Sequence, residues 1–179
     1  MDPLALIHKY YAENPALESL LVTQSRQVAD KALKIIDAHP ELNADRVFVE
    51  EAAMLHDIGI IFCDAPNIHC FGSHQYIEHG YLGACLLREE GLPRHARVAE
   101  RHTGTGITLD EIIRNNWNLP VADFIPETIE EEIICYADKF FSKSHPEEEK
   151  VMSKVRKQIW LFGADAMSRF DDWHRRFGL

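Results

Sequence analysis

The stretch Ala53-Met54-Leu55-His56-Asp57-Ile58-Gly59-Ile60 sets a histidine and an aspartate side by side in an otherwise apolar run. Working back from it, Phe48 to Leu55 is apolar on nearly every side of a helix, which is the pattern of a buried one. A buried carboxylate is costly unless it is paired or binds a cation. An imidazole nitrogen beside a carboxylate oxygen, at the end of a buried helix, suits a divalent metal. The dipeptide alone fits a hydrogen-bonded core pair at least as well, so the decision rests on the rest of the chain.

Outward from that stretch the chain reads as helix after helix. Asp2-Pro3 is a cap with a first-position proline and opens a short helix through about Tyr11. Asn14-Pro15 repeats the signal for a long helix to about Ala38, stopped before Pro40. Asn43 or Asp45 caps the helix that ends at His56-Asp57. A loop runs from Gly59 to about His74, and a helix from Tyr76 to about Glu90 stops at Gly91. Pro93 starts another, ended by Thr103-Gly104-Thr105-Gly106. Thr108 and Glu111 have capping-box spacing for a short helix to about Asn115. Asn118 to Pro126 is a loop, Thr128 to about Ser142 is helical, and Pro146 and Gly163 bracket one more helix before the last. No alternating strand pattern, repeat or low-complexity tract is present. The expected fold is all-α.

The apolar stripes are interrupted in a consistent way. On the second helix, Leu17, Leu20 and Leu21 continue to Val28 through Gln24. His79 shares a face with Leu82 and Leu86, His102 with Val98, and Asp138 with Ile134 and Phe141. One such residue is ordinarily a satisfied core polar group. Helix after helix placing Gln, His-Asp, His, His or Asp on its core face points instead to convergence on one metal centre.

Composition fits a soluble globular chain of 179 residues, 46% hydrophobic and 27% charged, expected to form one domain over residues 1–179. The motif core is expected over about 20–144, with C-terminal helices from 146 to 179 packing on it. A formal net charge of −10 argues against a partner such as a nucleic-acid polymer but not against a small phosphorylated substrate. The cysteines form no CxxC pair, the N-terminus carries no signal-peptide pattern, and no 18-residue apolar run could span a membrane. The expected location is the cytoplasm.

The order Gln24, His56-Asp57, His79, His102, Asp138 resembles the HD-domain superfamily of metal-dependent phosphohydrolases. The likeness runs from about Leu20 to Ser144. It includes the local contexts His79-Gly80-Tyr81-Leu82-Gly83-Ala84, Arg101-His102-Thr103-Gly104 and Tyr136-Ala137-Asp138-Lys139. The two intermediate histidines resemble the two-metal branch, and within it small HD-type diadenosine tetraphosphate hydrolases and their uncharacterised neighbours. The resemblance implies a helical bundle around a buried metal centre and two divalent transition metals (Fe, Mn, Co, Ni or Zn). The residue at 24, His56, Asp57 and Asp138 would hold the first, and Asp57 would bridge to a second on His79 and His102. It also implies two-metal hydrolysis, with cations about 3.5–4 Å apart activating a water that Asp57 orients. Lys139 and Thr103 are candidate phosphate contacts, although Lys139 also reads as a solvated helix lysine, and Arg101 reads as surface.

One position departs from the family pattern, which begins with a histidine where this chain has Gln24. A glutamine oxygen is a weaker, neutral ligand. Gln24 could coordinate through oxygen or a water, leave a one-metal site in a slow enzyme or binding protein, or disable the enzyme. The rival functions are therefore a nucleotide-sensing HD protein and a di-iron oxygenase on the same ligand set. The loop 59–74 reads as a lid, with His69 or His74 meeting the substrate or acting as leaving-group acid. A structural zinc on Cys63, His69, Cys70 and His74 lacks a standard spacing. His8, His39, His95, His145 and His174 read as surface residues. The runs Glu130–Glu132 and Glu147–Glu149 read as solvated faces near helix N-termini. Trp160, Phe162, Phe170, Trp173 and Phe177 read as packing against the domain, or as a homodimer surface.

Overall fold

The structure, a computed structural model, describes residues 1–145 and 148–179. Its elements begin where side chains can satisfy free amides. Asp2 caps α1 (Pro3–Tyr11), accepting from the Leu4 and Ala5 amides at 3.0 and 3.2 Å. Asn14 caps α2 (Pro15–Ala38) at the Leu17 amide, 3.2 Å. A 3₁₀ turn at Pro40–Leu42 ends in Asn43 at φ 50°, so Asp45 is the residue that caps α3 (Arg46–Leu55), through the Phe48 amide at 3.1 Å. Then follow α4 (His79–Glu89), α5 (Pro93–Arg101), α6 (Leu109–Asn115), α7 (Ile129–Asp138), α8 (Met152–Trp160) and α9 (Ala164–Phe177).

α3 is central, packing against α1, α2, α5 and α7, while α4 lies on α5 and α7 also meets α9. Its residues Phe48, Val49 and Ala52 to Leu55 are buried, as the all-round apolar pattern requires. The main apolar core runs from Leu6 and Ile7 through α3 to Phe170 and Phe177 of α9, and a smaller cluster gathers Ile107, Ile112 and Phe124. The fold is all-α. The 59–74 loop carries a short antiparallel pair, β1 (Asp64–Ala65) with β2 (Cys70–Phe71).

Other expectations are also corrected. α7 stops at Asp138, not near Ser142, and Phe140 and Phe141 amides turn back to Ala137 and Asp138. α8 begins at Met152; Pro146, expected to bracket it, lies outside the described residues, as does Glu147 of the second acidic run. His95 is buried, edge-on to Phe48 and 3.3 Å from Glu51, not at the surface. Arg101 donates to the Ile125 carbonyl at 2.7 Å and pairs with Glu127 at 2.7 Å, which straps α5 to the loop before α7. The C-terminal aromatics divide: Phe170, Trp173 and Phe177 are buried, whereas Trp160 and Phe162 stay exposed.

Glu131 is buried, not solvated, because it serves the start of α7. It accepts from the Glu127 amide at 2.7 Å and from Arg97 at 2.8 Å, while Thr128 Oγ1 accepts from its own amide at 3.3 Å. Thr128→Ala removes one half of that box and is expected to cost about 1 kcal/mol, read by urea unfolding.

Candidate metal centre

Five helical segments deliver the site. His56 and Asp57 directly follow α3, His79 opens α4, His102 directly follows α5, Asp138 closes α7, and Gln24 sits within α2. All of them except Asp138, whose side chain is 15% exposed, are buried.

Each histidine is anchored alike. Nδ1 of His56, His79 and His102 donates to the carbonyl of Ala53, Tyr76 and Ala99, at 2.6, 2.5 and 2.7 Å. That fixes the proton on Nδ1 and turns every Nε2 lone pair inward. His56 Nε2 lies 2.9 Å from Asp57 Oδ2 and 3.3 Å from Asp138 Oδ1. His79 and His102 Nε2 each lie 3.3 Å from Asp57 Oδ1 and 3.1 Å from one another. Lone pairs directed at a carboxylate and at each other repel unless a proton or a cation lies between them. Consistent with that need, Gln24 Oε1, His56 Nε2 and both Asp57 oxygens are buried without a hydrogen-bond partner. His56, Asp57 and His102 place one ligand atom each within 4.8 Å of one another, a group that could hold a metal ion. The residues present fit such an ion.

The field around the site is set by two acids and two lysines. Lys143 Nζ contacts Asp57 Oδ2, and Lys139 Nζ lies 2.9 Å from Asp138 Oδ2 and 2.8 Å from the His102 carbonyl. Burial would raise the pKa of both carboxyls, but Lys143 and His56 hold Asp57 well below the usual range, and Lys139 does the same for Asp138. Burial lowers His56, yet Asp57 and Asp138 outweigh it and lift it to about 9; burial pushes His102 down to about 4. Gln24 donates its amide to Asp138 Oδ1 at 3.0 Å. Tyr76 stacks on His79 with ring centroids 4.7 Å apart.

A cavity of about 640 Å³ opens beside this cluster, with Gln24, Asp138, Lys139, Lys143 and Lys150 on one side and Tyr76 and Phe162 among its aromatic walls. Ala65, Asn67 and Ile68 line it too, so the 59–74 loop forms one wall. The structure brings together His56, Asp57, His79, His102, Asp138 and Gln24. Of the candidate substrate contacts, Lys139 lies at the cavity with its ammonium already engaged. Thr103 is directed at Gly80 rather than into the cavity, and His74 sits 3.3 Å from Glu78 with its side chain 43% exposed. Cys63 and Cys70 are buried with their thiols on the Gly59 and Ile68 carbonyls, and burial raises them to about 12 and about 11. They join no metal-capable group among the described residues. Sequence reading missed Lys143, whose only signal is a second lysine one helical turn beyond Lys139.

Residues 21–142 match the HD domain. The chain belongs to the HD domain family. Among curated relatives this HD domain is 34% identical over 158 residues to an uncharacterized protein of Methanocaldococcus jannaschii, covering 87% of this chain and 83% of that one. It is 35% identical over 126 residues to a tRNA (cytidine(56)-2'-O)-methyltransferase of Picrophilus torridus, covering 70% of this chain but only 32% of that protein. A protein of the same name from Thermoplasma volcanium is 34% identical over 140 residues, covering 78% of this chain and 35% of it. The chain therefore spans about a third of the length of these two relatives. The HD domain of the L. monocytogenes phosphodiesterase PgpH superposes with TM-score 0.54 at 17% identity, over 94% of each chain. Its complex with cyclic-di-AMP gives 0.57 at 19%, over 100% of this chain and 89% of that one. At that identity the likeness is one of fold.

Proposed function

We propose that this HD domain is a metal-dependent phosphohydrolase acting on a small nucleotide or phosphorylated metabolite. The observation that carries the reading is the convergence of three buried, inward-facing Nε2 atoms on Asp57 beside a lysine-lined cavity. His56, Asp57, His79, His102 and Asp138 are the residues available to hold divalent metal, with Gln24 Oε1 beside them. Bound there, a divalent metal lowers the pKa of a water to give a hydroxide nucleophile and neutralises charge on a phosphoryl oxygen. The protein's own residues do the rest. Asp57, fixed between three imidazoles and Lys143, orients the group beside it. Lys150, half-buried on the cavity wall with its ammonium 3.2 Å from the Lys139 carbonyl, is the lysine there with no carboxylate partner among the described residues. It is placed to bind a phosphate. The cavity is of a size that takes a small ligand, and the cyclic-di-AMP bound by the PgpH HD domain supports a nucleotide-like one.

The methyltransferase name belongs to proteins of which about two thirds lie outside the match. A nucleotide-binding protein without turnover is the second reading, favoured by the neutral Gln24. A screen of phosphomonoesters, phosphodiesters and nucleotides on chelator-stripped protein reloaded with Mn²⁺ separates the two. Metal-dependent release of phosphate or nucleoside monophosphate is expected. Lys150→Ala should then raise KM about tenfold with kcat little changed, the value of one charge-assisted contact. Saturable nucleotide binding without turnover would establish the second reading.

A further inference from the structure

We propose that this centre takes one divalent cation, on His79, His102 and Asp57 Oδ1, and that the Lys143 ammonium is the fixed positive charge of its other half. The inference rests on the metal-centre part of the proposed function and narrows it.

The two oxygens of Asp57 face different surroundings. Around Oδ1, the atoms Asp57 Oδ1, His79 Nε2 and His102 Nε2 form a triangle with edges of 3.3, 3.3 and 3.1 Å. Ligand atoms about 2.1 Å from a metal stand about 3.0 Å apart in cis-octahedral geometry and about 3.4 Å apart in tetrahedral geometry. The triangle lies between the two.

The Oδ2 side is built differently. Lys143 Nζ contacts Oδ2, Lys139 Nζ takes Asp138 Oδ2 at 2.9 Å, and the Gln24 amide takes Asp138 Oδ1 at 3.0 Å. Turning Gln24 over would set its oxygen against a carboxylate, so the amide's orientation follows from its partner. Two carboxylates matched by two ammoniums leave this half with no net negative charge to attract a dication. A metal there would also meet the Lys143 ammonium at close range, and like charges at that distance disfavour each other. The side chain of Lys143 is only 13% exposed, and a charge so placed is held by its partner rather than released to solvent. The neutral Gln24 and the inserted lysine thus belong to one arrangement.

Metal stoichiometry tests it without reference to activity. Stripped protein is titrated with Mn²⁺ or Co²⁺ against a chromophoric chelator, and metal per chain is measured after desalting. Circular dichroism verifies that each variant is folded. One metal per wild-type chain is expected, lost in His79→Ala. Gln24→His alone should stay at one, because Lys143 remains. Gln24→His with Lys143→Met should bind two, with a larger metal-induced rise in Tm than wild type. Lys143→Gln replaces Lys143→Met if the latter fails to fold. Two metals on the wild-type chain, or a folded double variant that stays at one, overturns the proposal. A chain that binds one metal and turns over nothing upholds it while defeating the hydrolase reading.

Discussion

Asp57→Asn is expected to abolish metal retention and to lower phosphoester hydrolysis by at least about a hundredfold. Groups that merely orient a metal ligand are worth 10- to about 100-fold when removed, and Asp57 is the shared centre of the cluster rather than a support. Both its oxygens are in use: Oδ1 faces His79 and His102 at 3.3 Å, and Oδ2 faces His56 at 2.9 Å and Lys143. The amide is close to isosteric, so a packing defect does not explain the loss. It is neutral, and one of its two faces becomes an N–H₂ donor that no metal accepts. The substitution also strands the Lys143 ammonium, since breaking a buried pair by removing one partner typically costs about 3–5 kcal/mol. Metal-free Asp57→Asn should therefore unfold at lower urea than metal-free wild type. Elemental analysis, turnover and urea midpoints on the same preparations check the three consequences together. Retained metal and near-wild-type turnover would remove Asp57 from the centre.

What could be read from the sequence depended on how local its cause was. The His56-Asp57 pair, the caps at Asp2, Asn14, Thr108 and Thr128, and Gly91 at φ 74° are determined by residues within a turn of themselves. The ligand set was legible because imidazole and carboxylate are out of place on an apolar stripe, and Gln24 was found as a gap in one. Lys143 was hidden because its position depends on where α7 ends. No glycine or proline marks that end before Pro146, and the Asp138 carboxylate that closes the helix is engaged by His56 and Gln24 from elsewhere in the fold as well as by its neighbour Lys139. His95 was misplaced for a related reason, since Glu51 and Phe48, which bury it, lie more than 40 residues away. Thr103 and His74 show that adjacency to a ligand in sequence is not adjacency to the cavity. A helix end turns successive side chains to different sides, and Thr103 follows His102 straight onto Gly80.

Gly59 is the least conspicuous residue of the opening stretch and has a large expected effect on stability. The 3₁₀ turn Ile58–Phe62 rests backbone to backbone on α4. A Cβ at position 59 would lie 2.1 Å from the His79 carbonyl oxygen, 2.4 Å from the Gly83 amide nitrogen and 2.8 Å from Gly83 Cα. None of these is the end of a flexible side chain, so relief requires α4 to move away from the turn that carries Asp57. Overpacking in a tight core ordinarily costs about 1–3 kcal/mol, and a clash with backbone atoms of two α4 residues belongs at or beyond the top of that range. Gly59→Ala is expected to lose about 3 kcal/mol or more in urea unfolding. His79 opens α4, so the same shift separates its Nε2 from Asp57 Oδ1, and metal affinity should fall with stability in chains that remain folded. Gly91→Ala supplies the comparison. Its Cβ meets nothing within 4 Å, and only the strain of φ 74° opposes it, about 1–2 kcal/mol. That variant should lose stability and keep its metal. If Gly59→Ala does the same, the close approach of turn and helix holds the fold together but does not position His79.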